Sequence, residues 1–271
     1  MKDIHRYYQD NEIMWDAFAE LHFDSPSYRT EDFLKGDSVL NTIELEELSP
    51  FVKGKSLLHL QCHFGLDTLS WAREGAIPTG VDISGKAIDF ARILAEKTNL
   101  PAEFIKSNIY DLPDLLDEQF DIIFTSYGVL CWLKDIERWA EIIHHFLKNG
   151  GIFYIVEFHR FMWIFDWDGE KPIVKHSYFH DPNPLSYTTE GSYAESDKSC
   201  GEREGHEWAH TMSDVLNALI SVGLKIKYIH EFPMSPFKNF SFTTKSDDGY
   251  YRYEDSDIEL PLVFSIMATK E

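Results

Sequence analysis

From Lys55 to Phe158 the hydrophobic pattern switches back and forth between two periods. Short apolar runs, "SLLHL" (56–60), "IPTGVDI" (77–83), "AEFIKS" (102–107), "FDIIFTS" (120–126) and "GGIFYIVEF" (150–158), predict strands buried on both faces. Between them "LDTLSWAREG" (66–75), "GKAIDFARILAEKTN" (85–99) and "DIERWAEIIHHFLKNG" (135–150) carry helical spacing. In the second helix Ala87, Ile88, Ala91, Leu94 and Ala95 share a face, and Lys86, Asp89, Arg92 and Glu96 point outward. Asn149-Gly150-Gly151 is expected to end the third helix with a left-handed cap. His144 and His145, late in that helix, are expected to place positive charge at its negative end. Strand and helix alternating at this interval imply right-handed crossovers and a mostly parallel sheet. Ligands of such sheets lie at the carboxyl ends of the strands.

The flanks read differently. In "EIMWDAFAELHF" (12–23) Ile13, Trp15, Ala17, Phe18 and Leu21 predict one broad apolar helix face. Trp15 and Phe18 suit either simple packing of that helix or a lid over a ligand. After Phe158 the alternation stops for about fifty residues rich in aromatics, turn residues and histidine, a length that predicts irregular strands forming a cap. A helix "SDVLNALISVGL" (213–224) follows, with Ser213 as expected N-cap and Gly223 near its end. Strands "KIKYIHEF" (225–232) and "LPLVFSIMATK" (260–270) come next without a helix between them, so they are expected to be antiparallel. The chain thus divides into an N-terminal helical region (1–54), an α/β core (55–158), a cap insertion (159–210) and the remainder of the core sheet (211–271).

Composition narrows the function. Forty-six acidic against 25 basic residues give a net charge of −21 in 271 residues, a field that repels nucleic acid and anionic membranes. No run approaches the roughly 18 apolar residues that a membrane span needs, and the N-terminus lacks the apolar core of a secretory signal. Three scattered cysteines, Cys62, Cys131 and Cys200, argue against a disulfide framework and for a reducing cytoplasm.

Several stretches carry chemistry. Asp82, at the end of the second strand and 17 residues beyond Gly65, can accept hydrogen bonds from both hydroxyls of a ribose; the alternative is an N-cap for the helix beginning at Gly85, a role it shares with Ser84. Asn108 in "SNIYDLP" can offer its carbonyl to an exocyclic amine, or close a turn. Residues 206–210, "HEWAH", formally match a zinc-protease pattern that needs both histidines on one helix. Gly205 precedes them and the helix starts beyond them, so no metal site is expected.

The order of elements, seven strands with the last inserted antiparallel, resembles the Rossmann-like class I S-adenosylmethionine-dependent methyltransferases. That family opens with an acidic-x-Gly-x-Gly-x-Gly loop; here His59, Gln61, His63 and Gly65 occupy the positions, and only the last agrees. The variant "LHLQCHFG" is similar to a branch of bacterial methyltransferase-like sequences. The resemblance implies S-adenosyl-L-methionine as cofactor, with Gln61, His63 and Gly65 at its methionine end and Asp82 and Ile83 at its ribose. It places Asn108 and the Ile109 amide at its adenine, and Ser126 and Tyr127 beside the reacting end. It further implies methyl transfer to a small-molecule acceptor, which the acidic surface and aromatic cap suggest is uncharged, cationic or aromatic. Tyr127, His159 and His210 are the candidates for a general base, each with a structural alternative. Two other readings stand beside it: a cofactor-binding module without catalysis, and an NAD-dependent oxidoreductase. The second normally needs the glycines that Gln61 and His63 replace, so that its pyrophosphate can approach the backbone.

Overall fold

A computed structural model describes residues 4–166, 170–195, 197–253 and 257–271. Seven strands form one sheet in the order β3-β2-β1-β4-β5-β11-β8. They are β1 (Ser56–Leu60), β2 (Ile77–Asp82), β3 (Glu103–Lys106), β4 (Phe120–Ser126), β5 (Leu147–Phe158), β8 (Leu224–Phe232) and β11 (Val263–Lys270). The first five run parallel, and β11 is antiparallel to both of its neighbours. The sheet reverses its winding between β1 and β4, so the carboxyl ends of these two strands border the crevice where such folds take ligands.

Alternation along each strand decides which layer a residue joins. Leu58 and Leu60 of β1 face a core shared with α6 (Ile136–Phe146) and α7 (Met212–Ser221), while Leu57 faces α3 (Thr42–Val52) and Trp71 of α4 (Leu66–Arg73). α5 (Gly85–Thr98) packs its Ala87, Ile88, Ala91 and Leu94 against Phe104 of β3, as the spacing predicts. α1 (Ile4–Phe23) and the short α2 (Thr30–Lys35) add Ala19 and Phe33 to this same cluster.

Four local expectations are corrected. α1 begins at Ile4 and buries Asn11, Met14, Phe18, Ala19 and His22, whereas Ile13 is 56% exposed. α6 ends at Phe146, and Asn149-Gly150-Gly151 lies within the start of β5; its left-handed residue is Gly150, at φ 77°. The N-cap of α7 is Thr211, whose hydroxyl accepts the Asp214 amide while the Asp214 carboxylate accepts the Thr211 amide. At the end of α6, burial and the nearby Lys270 lower the pKa of His144. The positive charge there comes from Lys270, whose Nζ donates to the His144 carbonyl at 2.6 Å.

In the stretch 159–210, residues 167–169 and 196 lie outside the described residues. The rest holds a 3-10 turn at Arg160–Ile164 and a hairpin of β6 (Leu185–Thr189) with β7 (Arg203–Glu207). The hairpin docks on α1: the Asn11 side chain accepts the His206 amide at 2.8 Å and donates to the His206 carbonyl at 2.9 Å. A second small pair, β9 (Thr243–Lys245) with β10 (Tyr251–Tyr253), lies before β11. No helix among the described residues is long and apolar enough to cross a membrane.

Candidate functional site

The loop after β1 keeps a glycine backbone without the glycines. Gln61, His63 and Gly65 have φ values of 58°, 50° and 75°, so all three stand in the left-handed region, which costs a non-glycine residue about 1–2 kcal/mol. Hydrogen bonds offset this cost. The amide of Cys62 donates to the Val81 carbonyl at 2.9 Å, that of Gly65 to the Cys62 carbonyl at 2.9 Å, and that of His63 to Asp82 Oδ2 at 2.7 Å. Gln61 Nε2 reaches across to the Val129 carbonyl at 3.0 Å. Gly65 has no substitute: a Cβ there would lie 2.6 Å from the Phe104 ring.

Asp82 joins this loop to the next helix. One oxygen takes the His63 amide and the other the Ser84 amide at 2.9 Å. Ser84, not Asp82, is the N-cap of α5. Burial pushes the Asp82 pKa up to about 6, against the pull of both amides. Its carboxylate offers about four lone-pair positions, so two remain for a ribose. Beyond it a hollow of about 300 Å3 is lined by Ile83, Ser107 and Asn108 on the sheet side, and by Tyr8, Gln9 and Glu12 of α1 on the other. Asn108 uses its side-chain oxygen to accept the Tyr110 amide, while Ile109 buries its side chain in the core and leaves its backbone at the loop. Of the expected residues, His63 thus bonds Asp82 directly, and Ile83 and Asn108 line the adjoining hollow.

α1 closes over the loop. Asp16 Oδ1 accepts the Ser84 hydroxyl at 2.6 Å and the Lys86 amide at 3.0 Å, pinning α1 to the start of α5. Trp15 meets His63 and Trp132 edge-on, with ring centroids 5.4 and 5.2 Å apart. His22 Nδ1 lies 3.2 Å from His63 Nε2. Burial lowers the pKa of His22 to about 3 and holds His63 well below its usual value, so both rings are neutral near pH 7. Three atoms here are buried without a partner: Gln61 Oε1, His63 Nδ1 and His22 Nε2.

The strand ends beyond carry residues that sequence reasoning passed over. His59, at the family's acidic position, is buried and neutral, its pKa lowered to about 3, with Nδ1 2.8 Å from the Thr68 hydroxyl. A carboxylate comes instead from Asp67 in the first turn of α4. It accepts the Ser126 hydroxyl at 3.0 Å, and burial pushes its pKa up to about 6. Tyr127, at φ 30°, turns its phenol away to donate to Glu44 Oε2 at 2.9 Å. Glu157, at the end of β5, accepts the amides of Gly128, Val129, Leu130 and Phe158 and so fixes the loop after β4. An acidic residue inside "YIVEF" is the one sequence signal for this; Asp67 and Glu44 sit in ordinary amphipathic helices and gave none.

The remaining base candidates differ in accessibility. His159 has both nitrogens engaged, Nδ1 by the Phe161 amide at 3.0 Å and Nε2 by Glu231 at 2.9 Å. His210 borders a second hollow; its Nε2 contacts the Leu133 carbonyl and burial lowers its pKa. The HEWAH segment begins on strand β7, not on a helix. His206 lies in β7 and His210 beyond its end, so the two do not stand one turn apart on a helix as the pattern requires. His206 pairs instead with Asp10 at 3.1 Å, and Arg6 lies 3.6 Å from both Asp10 and Glu204.

A doubly wound sheet whose first crossover loop is bonded to an acidic residue at the end of the second strand defines the nucleotide-cofactor α/β proteins. Within that class, residues 58–155 match the family described as methyltransferase domain. Through this segment the chain is similar to S-adenosylmethionine-dependent methyltransferases. Over 127 residues it is 32% identical to an uncharacterised methyltransferase of Synechocystis sp., covering 46% of this chain and 57% of that one. Over 124 residues it is 26% identical to a ubiquinone biosynthesis O-methyltransferase of Photorhabdus laumondii, covering 45% and 51%. The chain therefore spans about half the length of these curated relatives. The fold matches a solved S-adenosylmethionine-dependent methyltransferase from Mesorhizobium loti with a TM-score of 0.57 at 19% identity, over 88% of this chain and 100% of that one. The donor set is compatible with S-adenosylmethionine: Gln61 Oε1 and His63 Nδ1, in the loop anchored on Asp82, are buried polar atoms without a partner that a polar ligand end would satisfy.

Proposed function

We propose that this protein is a methyltransferase that uses S-adenosylmethionine to methylate a small molecule by in-line displacement. The observation that carries the proposal is the first loop, whose three left-handed residues keep the form of a glycine-rich turn and whose middle one, His63, is held by the same carboxylate, Asp82, that would grip the ribose. Gln61 and His63 would meet the methionine end, Ile83 beside Asp82 the ribose, and Asn108 and the Ile109 amide the adenine. Asp67 would supply, near the methionine ammonium, the negative charge that a neutral His59 cannot.

When bound, S-adenosylmethionine supplies a methyl group on a cationic sulfur that an aligned nucleophile displaces. The residues contribute position first, an effect worth up to about 7–11 kcal/mol in favourable cases. Glu157 fixes the loop after β4 through its four amides, while Trp15 and Trp132 shield the loop after β1 from water. If the acceptor carries a proton, His210 is the candidate with a free nitrogen: with Nε2–H turned to the Leu133 carbonyl, Nδ1 keeps its lone pair. Tyr127 and His159 serve Glu44 and Glu231 instead. A nucleic-acid acceptor does not fit a net charge of −21, and three free cysteines fit work in the cytoplasm.

The binding-module reading draws on one observation, the crowding of His63 by Trp15, His22 and Tyr28. The test is formation of S-adenosylhomocysteine from S-adenosylmethionine across a panel of small acceptors. Acceptor-dependent turnover is expected. Tight cofactor binding with no turnover on any acceptor favours the module, and heat protection by NAD alone favours the oxidoreductase.

A further inference from the structure

A second hollow, of about 50 Å3, lies beyond the loop after β4, between the end of β5, the start of α7 and the chain leaving β7. At roughly 10–15 Å3 per water centre it holds three or four atoms the size of water, about the bulk of a carboxylate with its adjoining carbon. Phe158, Trp163 and Trp208 give it aromatic walls, and Glu157, Arg160 and His210 are its ionisable lining groups.

Its donors outnumber its acceptors. Glu157 is occupied by four amides, and His210 is neutral near pH 7. Arg160, partly buried, donates from Nε to the Tyr178 carbonyl at 3.2 Å and from Nη2 to the Ser177 carbonyl at 2.7 Å. Among the described residues Arg160 has no carboxylate within ion-pair distance, though it and Glu207 feel each other's charge, and its Nη1 makes no hydrogen bond. Glu207, the nearest carboxylate along the chain from Trp208, accepts the Tyr187 hydroxyl at 2.8 Å. Trp208 is only 2% exposed, and its indole Nε1 is buried without a partner. Leaving a buried donor unsatisfied costs about 1–3 kcal/mol, and one oxyanion placed here would satisfy both groups. The chain's overall negative charge is screened within about 10 Å at moderate salt; at contact the Glu157 carboxylate is compensated by its four amides, which leaves the guanidinium, tempered by the nearby Glu207, to draw an anion.

We propose that this hollow binds a carboxylate carried by an aromatic methyl acceptor, with Arg160 Nη1 and Trp208 Nε1 as its donors. The assignment rests on the methyltransferase reading above and specifies the acceptor's class. The aromatic body lies along Phe158 and Trp163, and the carboxylate fixes the end of the acceptor remote from the nucleophile. Arg160 and Trp208 are thus specificity-determining residues.

The test is calorimetry on the whole chain saturated with S-adenosylhomocysteine, using benzoate and phenylacetate against benzamide and phenylacetamide. The carboxylates bind saturably and at least about tenfold more tightly than the amides, as a charge-assisted hydrogen bond requires. Trp208→Phe keeps the ring and removes the donor. It weakens carboxylate binding about tenfold, with the melting temperature and S-adenosylhomocysteine affinity unchanged. Arg160→Gln removes the carboxylate preference and Arg160→Lys restores part of it. Equal binding of acids and amides, unaltered carboxylate affinity in Trp208→Phe, or no carboxylate binding while S-adenosylhomocysteine is bound overturns this inference alone. Failure of the wild type to bind S-adenosylhomocysteine overturns the methyltransferase reading and this one with it.

Discussion

Replacing His63 by glycine separates what the loop's backbone does from what its ring does. At φ 50° the substitution relieves about 1–2 kcal/mol of left-handed strain, while glycine's extra freedom in the unfolded chain returns about 0.5–1 kcal/mol of that gain. The backbone bond from residue 63 to Asp82 survives, since it uses the amide. What disappears is the ring, which meets Phe64, His22, Tyr28 and Trp15 at centroid distances of 4.3 to 5.4 Å. Aromatic pairs contribute about 0.5–1.5 kcal/mol each beyond area burial, and not additively, so even at the low end the four contacts outweigh the gain. Net stability should therefore fall by about 1–2 kcal/mol, roughly 2–8 °C in melting temperature for a chain of this size. His22 Nδ1 loses its partner and the α1 contact loosens, so S-adenosylhomocysteine affinity should change several-fold. Scanning calorimetry and ligand titration read both quantities. A fall of more than 10 °C, roughly 3 kcal/mol or more, would mean that the ring and not the backbone holds the loop. Unchanged affinity would remove His63 from the cofactor site.

Two further outcomes follow from the same geometry. Gly65→Ala combines a left-handed φ of 75° with a Cβ 2.6 Å from the Phe104 ring, so urea unfolding should show a loss of roughly 2–5 kcal/mol; a loss under 1 kcal/mol contradicts the packing argument. Burial raises the Glu44 pKa from 4.5 to about 8, so between these values the folded state keeps a proton that the unfolded chain has released. Stability then falls as pH rises through that window, by up to about 1.4 kcal/mol per pH unit. Glu44→Gln should flatten this part of the stability profile and make the variant the more stable protein above pH 8, whereas an unaltered profile refutes the assignment.

The sheet was legible because strand and helix periods alternate cleanly from Lys55 onward, and Asp82 because it ends an apolar strand at a fixed interval from Gly65. The buried face of α1 was not legible from apolar spacing, since two of its buried positions are Asn11 and His22, there to bond the β6–β7 hairpin and His63. Thr211 was overlooked in favour of Ser213 because both are good caps, and only the reciprocal bond with Asp214 distinguishes them. The loop itself could be placed but not shaped: Gln61 and His63 hold left-handed geometry through bonds to Val129 and Asp82, 68 and 19 residues away. Glu44, Asp67, Glu157 and Arg160 draw their roles from contacts across the fold, for which spacing along the chain gives no sign beyond the buried position of Glu157.

The central claim is that this glycine-poor loop, anchored on Asp82, binds an adenosyl cofactor. Titration of S-adenosylhomocysteine into the wild type and into Asp82→Asn tests it directly, with thermal unfolding run on both to establish that the variant is folded. The wild type should bind one equivalent saturably, and the folded variant should bind at least about tenfold more weakly, since it loses the charge that a ribose hydroxyl would meet. Wild-type protein that binds no adenosyl ligand, or a variant whose affinity stays within twofold, would contradict the account.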